Sequence, residues 1–391
     1  MKRLMLCAAA AAVIGAAPAK QAAPPPIASY WMDVATQSGM GAPMAGGGRP
    51  DMGQVMAMMN GGGGSVAHTL DLRLASRTKP AAAPQADHLI PAGLQMGASL
   101  PLLTPQVVRE ERVPTEMPRE FQRPKGRMLI YWGCGEHVSA GQPTVIDFAK
   151  VAAGQMPPGM AAMASMAKVV SGPHSAAGFG KWPNERDSRP VPTTGSLAGA
   201  HKVQANYAPP IDFSLAASQD FMPALGLREA GNLPSGATRL MWQAAPQATG
   251  YALAMFGSNQ AGDVIMWSSA NRASMAAMDY LAPSEVRRLV SDGVVLPPST
   301  TQCVLPAEVA AASPFGMVTM IGYGPEENFA EAPKAPKWVT KVRYKSTASV
   351  MRGLAGMMGD APQRQPQGQP PQQQRRRPGL GGILGGIPIP R

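Results

Sequence analysis

Residues 238–256 read TRLMWQAAPQATGYALAMF, and this stretch predicts two β-strands separated by a turn. Thr238–Trp242 and Thr249–Phe256 are apolar runs of strand length, and residues 257–259 (Gly-Ser-Asn) end the second run as a turn. A third apolar run, Val264–Trp267, follows soon after. Short apolar runs bounded by turn residues are typical of β proteins, so we predict a mostly β fold.

The composition of the whole chain supports this fold class. Of its 391 residues, 43 are Gly and 41 are Pro, and this content argues against an all-helical protein because both residues break helices. Hydrophobic residues make up 45% of the chain, which is enough for a packed core. The chain contains no internal run of about 18 apolar residues, so the sequence predicts no transmembrane span.

Leu240–Leu253 resembles the B–C strand pair of a fibronectin type III or related immunoglobulin-like domain. In that family a Trp on strand B and a Tyr on strand C fill one core across a short turn that contains Pro, and Trp242 and Tyr251 match these positions. The resemblance covers residues 238–344, with later strands at Gly316–Tyr323 and Trp338–Tyr344. It implies a β-sandwich that binds or spaces other molecules rather than catalysing a reaction.

The preceding part of the chain also carries strand patterns, although it resembles no family. Thr69–Leu74 alternates between apolar and polar residues, as a half-buried strand does. Further strands are predicted at Arg127–Trp132, Thr144–Phe148, His201–Tyr207 and Ile211–Leu215. Helical stretches are predicted at Met160–Val170, Arg272–Leu281 and Ser284–Asp292. Ser284 would cap the last of these helices and Gly293 would end it.

The first 19 residues have the pattern of a secretory signal peptide. Lys2 and Arg3 form a positive n-region, Leu4–Ala16 forms an apolar h-region, and residues 17–19 (Ala-Pro-Ala) form a cleavage site. We therefore expect the mature chain to begin at Lys20 in an oxidising compartment, either the periplasm or the extracellular space.

The expected organisation is two sandwich-like β units with short helical insertions, flanked by disordered ends. The predicted ranges are 1–19 for the signal peptide, 20–65 for a linker rich in Gly, Ala and Met, 66–215 for a β-rich domain, 216–345 for an immunoglobulin-like β-sandwich with a helical insert, and 346–391 for a tail rich in Pro, Gln and Arg. The linker and the tail lack the patterned apolar residues that would offset the entropy of ordering them.

The positive charge of the chain is concentrated towards its C-terminus. The formal net charge is +11, and residues 352–391 contain six Arg and one Asp. Adjacent Arg residues attract anionic surfaces, so weak contact between this basic tail and such surfaces is expected. An exported chain rarely meets nucleic acid, so no nucleic-acid partner is expected.

Two patterns raise the question of nucleophilic catalysis. Ser165 and Lys168 have the S-x-x-K spacing of penicillin-interacting serine enzymes, in which the amine accepts the hydroxyl proton. No K-T-G sequence follows, so a serine hydrolase is only an alternative. Cys134 lies near His137, but after signal cleavage Cys134 and Cys303 are the two remaining cysteines. An exported pair forms either one disulfide or two buried thiols, and the sequence leaves both open.

The 27 Met residues suggest a second alternative, a periplasmic copper-binding protein. Met160, Met163 and Met166 recur every three residues, and more Met residues cluster at positions 52–59; thioethers suit Cu(I). Met also fills irregular cores, however. We therefore predict an exported, non-catalytic binding or structural protein of the bacterial envelope, with a protein or an envelope polymer as its partner. No catalytic, cofactor-binding or metal-binding residue is assigned.

Overall fold

The computed structural model describes residues 24–40, 42, 65–105, 126–155, 169–274 and 278–353, and it confirms the mostly β fold class. The strands are β1 (Ala28–Gly39), β2 (Val66–Ser76), β3 (Ala86–Leu89), β4 (Ser99–Pro101), β5 (Arg127–Trp132), β6 (Thr144–Asp147), β7 (Gly178–Trp182), β8 (Gly199–Ala205), β9 (Ala208–Leu215), β10 (Arg228–Asn232), β11 (Thr238–Met241), β12 (Gly250–Ser258), β13 (Val264–Ser268), β14 (Gln302–Leu305), β15 (Gly316–Ala330) and β16 (Trp338–Arg352). The α-helices are α1 (Phe148–Ala152), α2 (Pro283–Ser291) and α3 (Ala307–Ala312).

Nine of these strands form one large sheet in the order β6-β5-β13-β12-β15-β16-β1-β2-β7. A four-stranded sheet has the order β4-β3-β8-β9, and a three-stranded sheet has the order β10-β11-β14. Within the large sheet, β1 pairs with β16 and β13 pairs with β5 in parallel, while the other neighbours are antiparallel. The long hairpin of β15 and β16 lies at the centre of this sheet.

The large sheet has two different faces because side chains alternate along each strand. On β1, Tyr30, Met32 and Val34 are buried in the main core, whereas Trp31 and Asp33 alternate with them and lie on the opposite face. Both smaller sheets contribute to that main core. Their core residues include Val203 of β8, Ile211 of β9, Leu240 of β11 and Leu305 of β14.

Helix α2 packs against β12 and β15, on a second cluster of buried residues. Its Val286 and Leu289 lie in this cluster with Ala252 and Ile321. The helix begins after Ala282 with Pro283 in the first turn, so Ser284 is not the N-cap. Gly293 follows the helix at φ +69°, which confirms the predicted stop.

The predicted disordered linker at 20–65 is wrong over residues 28–39, which form β1. This strand lies inside the large sheet, paired with β16 on one side and with β2 on the other. Tyr30, Met32 and Val34 are buried and alternate with Trp31 and Asp33, so the strand has an apolar face. The prediction missed this pattern because Gly and Ala dominate the neighbouring sequence. Residues 20–23, 41 and 43–64 of the predicted linker lie outside the described residues.

Strands from both predicted domains form the nine-stranded sheet. β5 from the first range pairs with β13 from the second, and β2 from the first range is joined through β1 to β16 from the second. The described residues belong to one compact unit. The predicted boundary between residues 215 and 216 therefore does not separate two sheets.

Two further sequence predictions are corrected by the structure. The tail does not begin at residue 346, because β16 continues to Arg352 and its guanidinium is buried against the carbonyl oxygen of Ser313. In the described part of Arg272–Leu281 the chain forms bends rather than a helix. Tyr280 and Leu281 are buried there, so tertiary packing outweighs helix propensity. The signal peptide, residues 160–168 of the predicted Met160–Val170 helix and the tail beyond 353 lie outside the described residues.

Candidate functional site

Cys134 and Cys303 form a disulfide, with their Cα atoms 5.2 Å apart. This confirms one of the two states that the sequence left open. Cys134 follows β5 and Cys303 lies on β14, so the bond joins the large sheet to the three-stranded sheet. The Cys134 sulfur is therefore not a free thiol, and the His137 imidazole instead bonds to the Glu308 carboxylate at 2.9 Å.

The residues behind the two alternative functions lie outside the described residues. These are Ser165 and Lys168 for the serine hydrolase, and Met160, Met163 and Met166 with residues 52–59 for the copper protein. Both alternatives stay sequence predictions. Across the described ranges, no group of three or more His, Cys, Asp and Glu side chains could hold a metal ion, and no described helix has both the length and the apolar character of a membrane span.

A cleft of about 560 Å³ opens on the four-stranded sheet, across β3, β8 and β9. Its lining is mainly apolar and includes Leu89, Ile90, His201, Lys202, Asp212 and Phe213. His201 and Phe213 lie opposite each other on β8 and β9, and so do Lys202 and Asp212. Because the side chains of a strand alternate, the first pair is buried, whereas the second pair lies at the surface and forms an ion pair at 3.4 Å.

A buried chain of hydrogen bonds runs from this cleft into the core. The Nε2 atom of His201 lies 2.7 Å from the carbonyl oxygen of Leu197, and its Nδ1 atom lies 3.0 Å from Nε2 of His88. The Nδ1 atom of His88 in turn lies 2.9 Å from the hydroxyl of Tyr30. We call these three side chains the Tyr–His–His chain; all of them are buried.

The geometry fixes the position of every proton in this chain when both imidazoles are neutral. A carbonyl oxygen only accepts, so Nε2–H of His201 donates to Leu197 and Nδ1 of His201 accepts. Nε2–H of His88 must then donate to His201, which leaves Nδ1 of His88 to accept from the Tyr30 hydroxyl. All four imidazole nitrogens are thus engaged in hydrogen bonds.

Aromatic packing and burial hold the chain in its neutral form. The Phe213 ring is stacked on the His201 ring at 4.9 Å, and the Tyr30 ring meets the His88 ring edge-on at 5.3 Å. Burial lowers the pKa of His88 well below its usual value, and the neighbouring His201 lowers it further. Burial also lowers the pKa of His201 and raises the pKa of the Tyr30 phenol. Both histidines are therefore neutral at pH 7.

A charged cluster lies on the opposite face of the large sheet. It comprises Trp31, Asp33, Asp71, Arg73, Asp279, Tyr280, Arg343 and Lys345. The Arg343 guanidinium is bound by Asp33 and lies between the rings of Trp31 and Tyr280, 4.7 and 4.6 Å from their centroids. Both rings have a cation on a face, which suits a structural contact between strands better than a platform for a ligand.

The sequence analysis missed the residues of the Tyr–His–His chain. His88 and His201 are 113 positions apart, and Tyr30 lies in the stretch that was predicted to be disordered. A local signal does exist, because His201 and Val203 alternate with polar residues along β8. A histidine in register with apolar residues on a strand indicates a buried imidazole.

The residues that carry the immunoglobulin-like resemblance do contact each other. The rings of Trp242 and Tyr251 are 5.7 Å apart in an edge-to-face arrangement, and the Tyr251 hydroxyl accepts a hydrogen bond from the Ala245 amide. Comparison of the chain with protein-family models, with curated proteins and with solved structures gives no match. Membership of the fibronectin type III or immunoglobulin-like family stays a prediction.

Proposed function

We propose that this chain is an exported, non-catalytic binding protein of the bacterial envelope, and that the cleft on the four-stranded sheet is its ligand site. The observation that carries the proposal is the cleft itself. It combines a mainly apolar lining with one ion pair, Lys202–Asp212, among its lining residues. An apolar cavity with a few fixed polar groups is the usual form of a ligand site.

The chemistry of the cleft favours a ligand with an apolar body and one charged group. Leu89 is 36% exposed and offers apolar surface, and the more buried Ile90 and Phe213 also line the cleft. The side chains of Lys202 and Asp212 are 43% and 61% exposed and form an ion pair with each other. An anionic ligand group would displace Asp212 from Lys202 at small cost, because exposed ion pairs contribute little stability.

The hydrogen bonds of the Tyr–His–His chain support a binding role over catalysis. A general base needs a free lone pair, and both imidazoles of the Tyr–His–His chain use their lone pairs within the chain. The cleft therefore offers shape and apolar contact, with the histidines as fixed structural groups. Export rests on the signal-peptide pattern of residues 1–19, and the oxidised Cys134–Cys303 pair is consistent with that compartment.

Titration with the apolar anionic dye 1-anilinonaphthalene-8-sulfonate tests the site. We expect binding to the mature chain, with affinity lowered at least about tenfold by Leu89→Glu, because the new carboxylate repels the sulfonate and removes the apolar contact of Leu89. Val145→Glu is the matched control, since Val145 is an exposed apolar residue on β6 of the nine-stranded sheet and does not line the cleft. Equal binding by wild type and Leu89→Glu would show that the cleft is not the dye site.

A further inference from the structure

The Tyr–His–His chain joins two sheets. Tyr30 lies on β1 of the nine-stranded sheet, whereas His88 and His201 lie on β3 and β8 of the four-stranded sheet. The hydrogen bond between Tyr30 and His88 therefore crosses the interface between these sheets within the main core.

We propose that the Tyr–His–His chain is an acid-sensitive latch. It holds the four-stranded sheet on the nine-stranded sheet while both imidazoles are neutral, and it opens when they bind protons. The proposal rests on the proton positions in the chain and is independent of the ligand proposed for the cleft.

A single added proton reverses the two bonds that join His201 to His88 and His88 to Tyr30. If His201 gains a proton on Nδ1, that nitrogen must donate to Nε2 of His88, which then carries its own hydrogen on Nδ1 and donates it to the Tyr30 oxygen. The Tyr30 hydroxyl hydrogen loses its acceptor, and a positive charge is buried. A second proton would place two N–H groups face to face across 3.0 Å, which no hydrogen bond allows.

The surroundings give a buried imidazolium little compensation. The group that faces His88 from β1 is the neutral phenol of Tyr30, and the Phe213 ring of β9 is stacked on His201. Asp87 on β3 and the Lys202–Asp212 pair on β8 and β9 lie on the exposed side of this sheet. In the described part of the chain, no carboxylate bonds to either imidazole, and burial lowers the pKa of both.

The proposal gives a quantitative pH dependence. In the closed state both rings are neutral, and in the open state both titrate near the ordinary histidine pKa of about 6.5. Opening therefore takes up two protons below that pH, so the equilibrium constant for opening increases by up to about 100-fold for each pH unit of acidification. The rise stops when the closed state itself begins to bind protons.

Native-state hydrogen exchange of the mature protein without ligand tests the latch. The measurement compares backbone amides of β3 and β8 with those of β12 and β15 between pH 7 and pH 4.5, after correction for the intrinsic exchange rate. We expect protection of the β3 and β8 amides to fall steeply below pH 6.5, while that of β12 and β15 changes less. The slope of the logarithm of the β3 and β8 protection factors against pH should approach two, which corresponds to two protons. Constant protection of β3 and β8 down to pH 4.5 would overturn the proposal.

Two variants identify the groups responsible. His88→Gln removes one titrating ring and should reduce the slope of β3 and β8 from two protons to one. His68→Gln is the matched control, because His68 is a part-buried histidine on β2 that stacks on Phe221 and lies outside the chain, so the local slope should stay at two. An unchanged slope in His88→Gln would contradict the latch.

A third variant covers the case in which His88→Gln does not fold. Tyr30→Phe keeps both histidines but removes the hydroxyl that donates to His88 across the interface. We expect lower protection of β3 and β8 at pH 7 with the two-proton slope preserved. Unchanged protection in this variant would show that the bond between the sheets does not hold them together.

Discussion

Asp33 and Arg343 lie opposite each other on the parallel strands β1 and β16 and form a buried, bidentate ion pair, although 310 positions separate them in the sequence. Both side chains are only 7% exposed. Burial raises the pKa of Asp33, and the hydrogen bonds and charge of Arg343, with a smaller contribution from Arg73, partly offset that effect. The pair thus fixes the register in which β1 enters the large sheet.

Removing one partner of this pair should destabilise the fold strongly. Arg343→Met leaves the Asp33 carboxylate buried without its cation, and we expect a loss of about 3–5 kcal/mol in the free energy of unfolding, measured by denaturant titration. Lys337→Ala is the control, because the exposed Lys337–Glu331 pair at 3.6 Å should contribute less than about 1 kcal/mol. Equal losses in the two variants would show that Asp33 and Arg343 are not the critical contact.

The disulfide between Cys134 and Cys303 should stabilise the mature protein. It closes a loop of 169 positions, for which the loop-entropy account gives about 3–5 kcal/mol. We expect the double variant Cys134→Ser, Cys303→Ser to lose stability of that order in denaturant titration. Thiol counting on the unreduced, unfolded mature chain should detect no free thiol, whereas two thiols per chain would disprove the bond.

Acid should weaken the fold through the buried histidines. Burial lowers the pKa of His68, His88 and His201 in the folded state, so the unfolded state binds more protons at mildly acidic pH. Their contribution is therefore complete above the unfolded pKa of about 6.5 and is lost as pH falls below it, by up to about 1.4 kcal/mol per pH unit for each histidine.

The histidine on β2 offers a separate test of this pH dependence. His68 stacks on the Phe221 ring at 3.9 Å, and its Nδ1 atom is buried without a hydrogen bond. Replacing it in His68→Phe should reduce the slope of unfolding free energy against pH below 6.5 by about one proton. His174→Gln, at an exposed position, is the matched control for the removal of a histidine. A wild-type slope in His68→Phe would mean that this ring does not contribute.

Local patterns predicted the strands that are apolar over several consecutive residues. Arg127–Trp132 is β5 as predicted, and Val264–Trp267 lies within β13. The short strands β10 and β14 were missed because four or five residues carry too little pattern. β1 was missed because the flanking Gly and Ala residues dominate the composition of that region.

Long-range pairing could not be read from local sequence. β1 and β16 are far apart in the chain, and nothing in either strand names the other as its parallel neighbour. The same holds for His88 and His201, which meet only because β3 and β8 pair in the four-stranded sheet. The disulfide was foreseen as one of two options because counting cysteines needs no knowledge of the fold.

Export predicts a specific N-terminus for the mature protein. If residues 1–19 are a signal peptide, protein isolated from the bacterial envelope should begin at Lys20, as read by N-terminal sequencing. Ala19→Arg should block cleavage at this site, because signal peptidases require a small residue there, and full-length precursor should accumulate. Intact Met1 on soluble cytoplasmic protein would contradict export.

The C-terminal residues should act as an electrostatic tether that is separable from the fold. Gly353 is the last described residue, and the sequence beyond it contains adjacent Arg375, Arg376 and Arg377. Deleting residues 363–391 should therefore leave the thermal midpoint nearly unchanged, while binding to vesicles with anionic headgroups falls, since each basic residue near such a surface contributes about 1 kcal/mol. Changing the three Arg residues to Gln keeps the length and should have the same effect on binding.

Salt gives a second test of the tether. Because salt screens the attraction between the Arg residues and the anionic headgroups, raising the salt to about 1 M should remove most of the binding of the intact chain. Binding that survives both the deletion and high salt would rule out the tether.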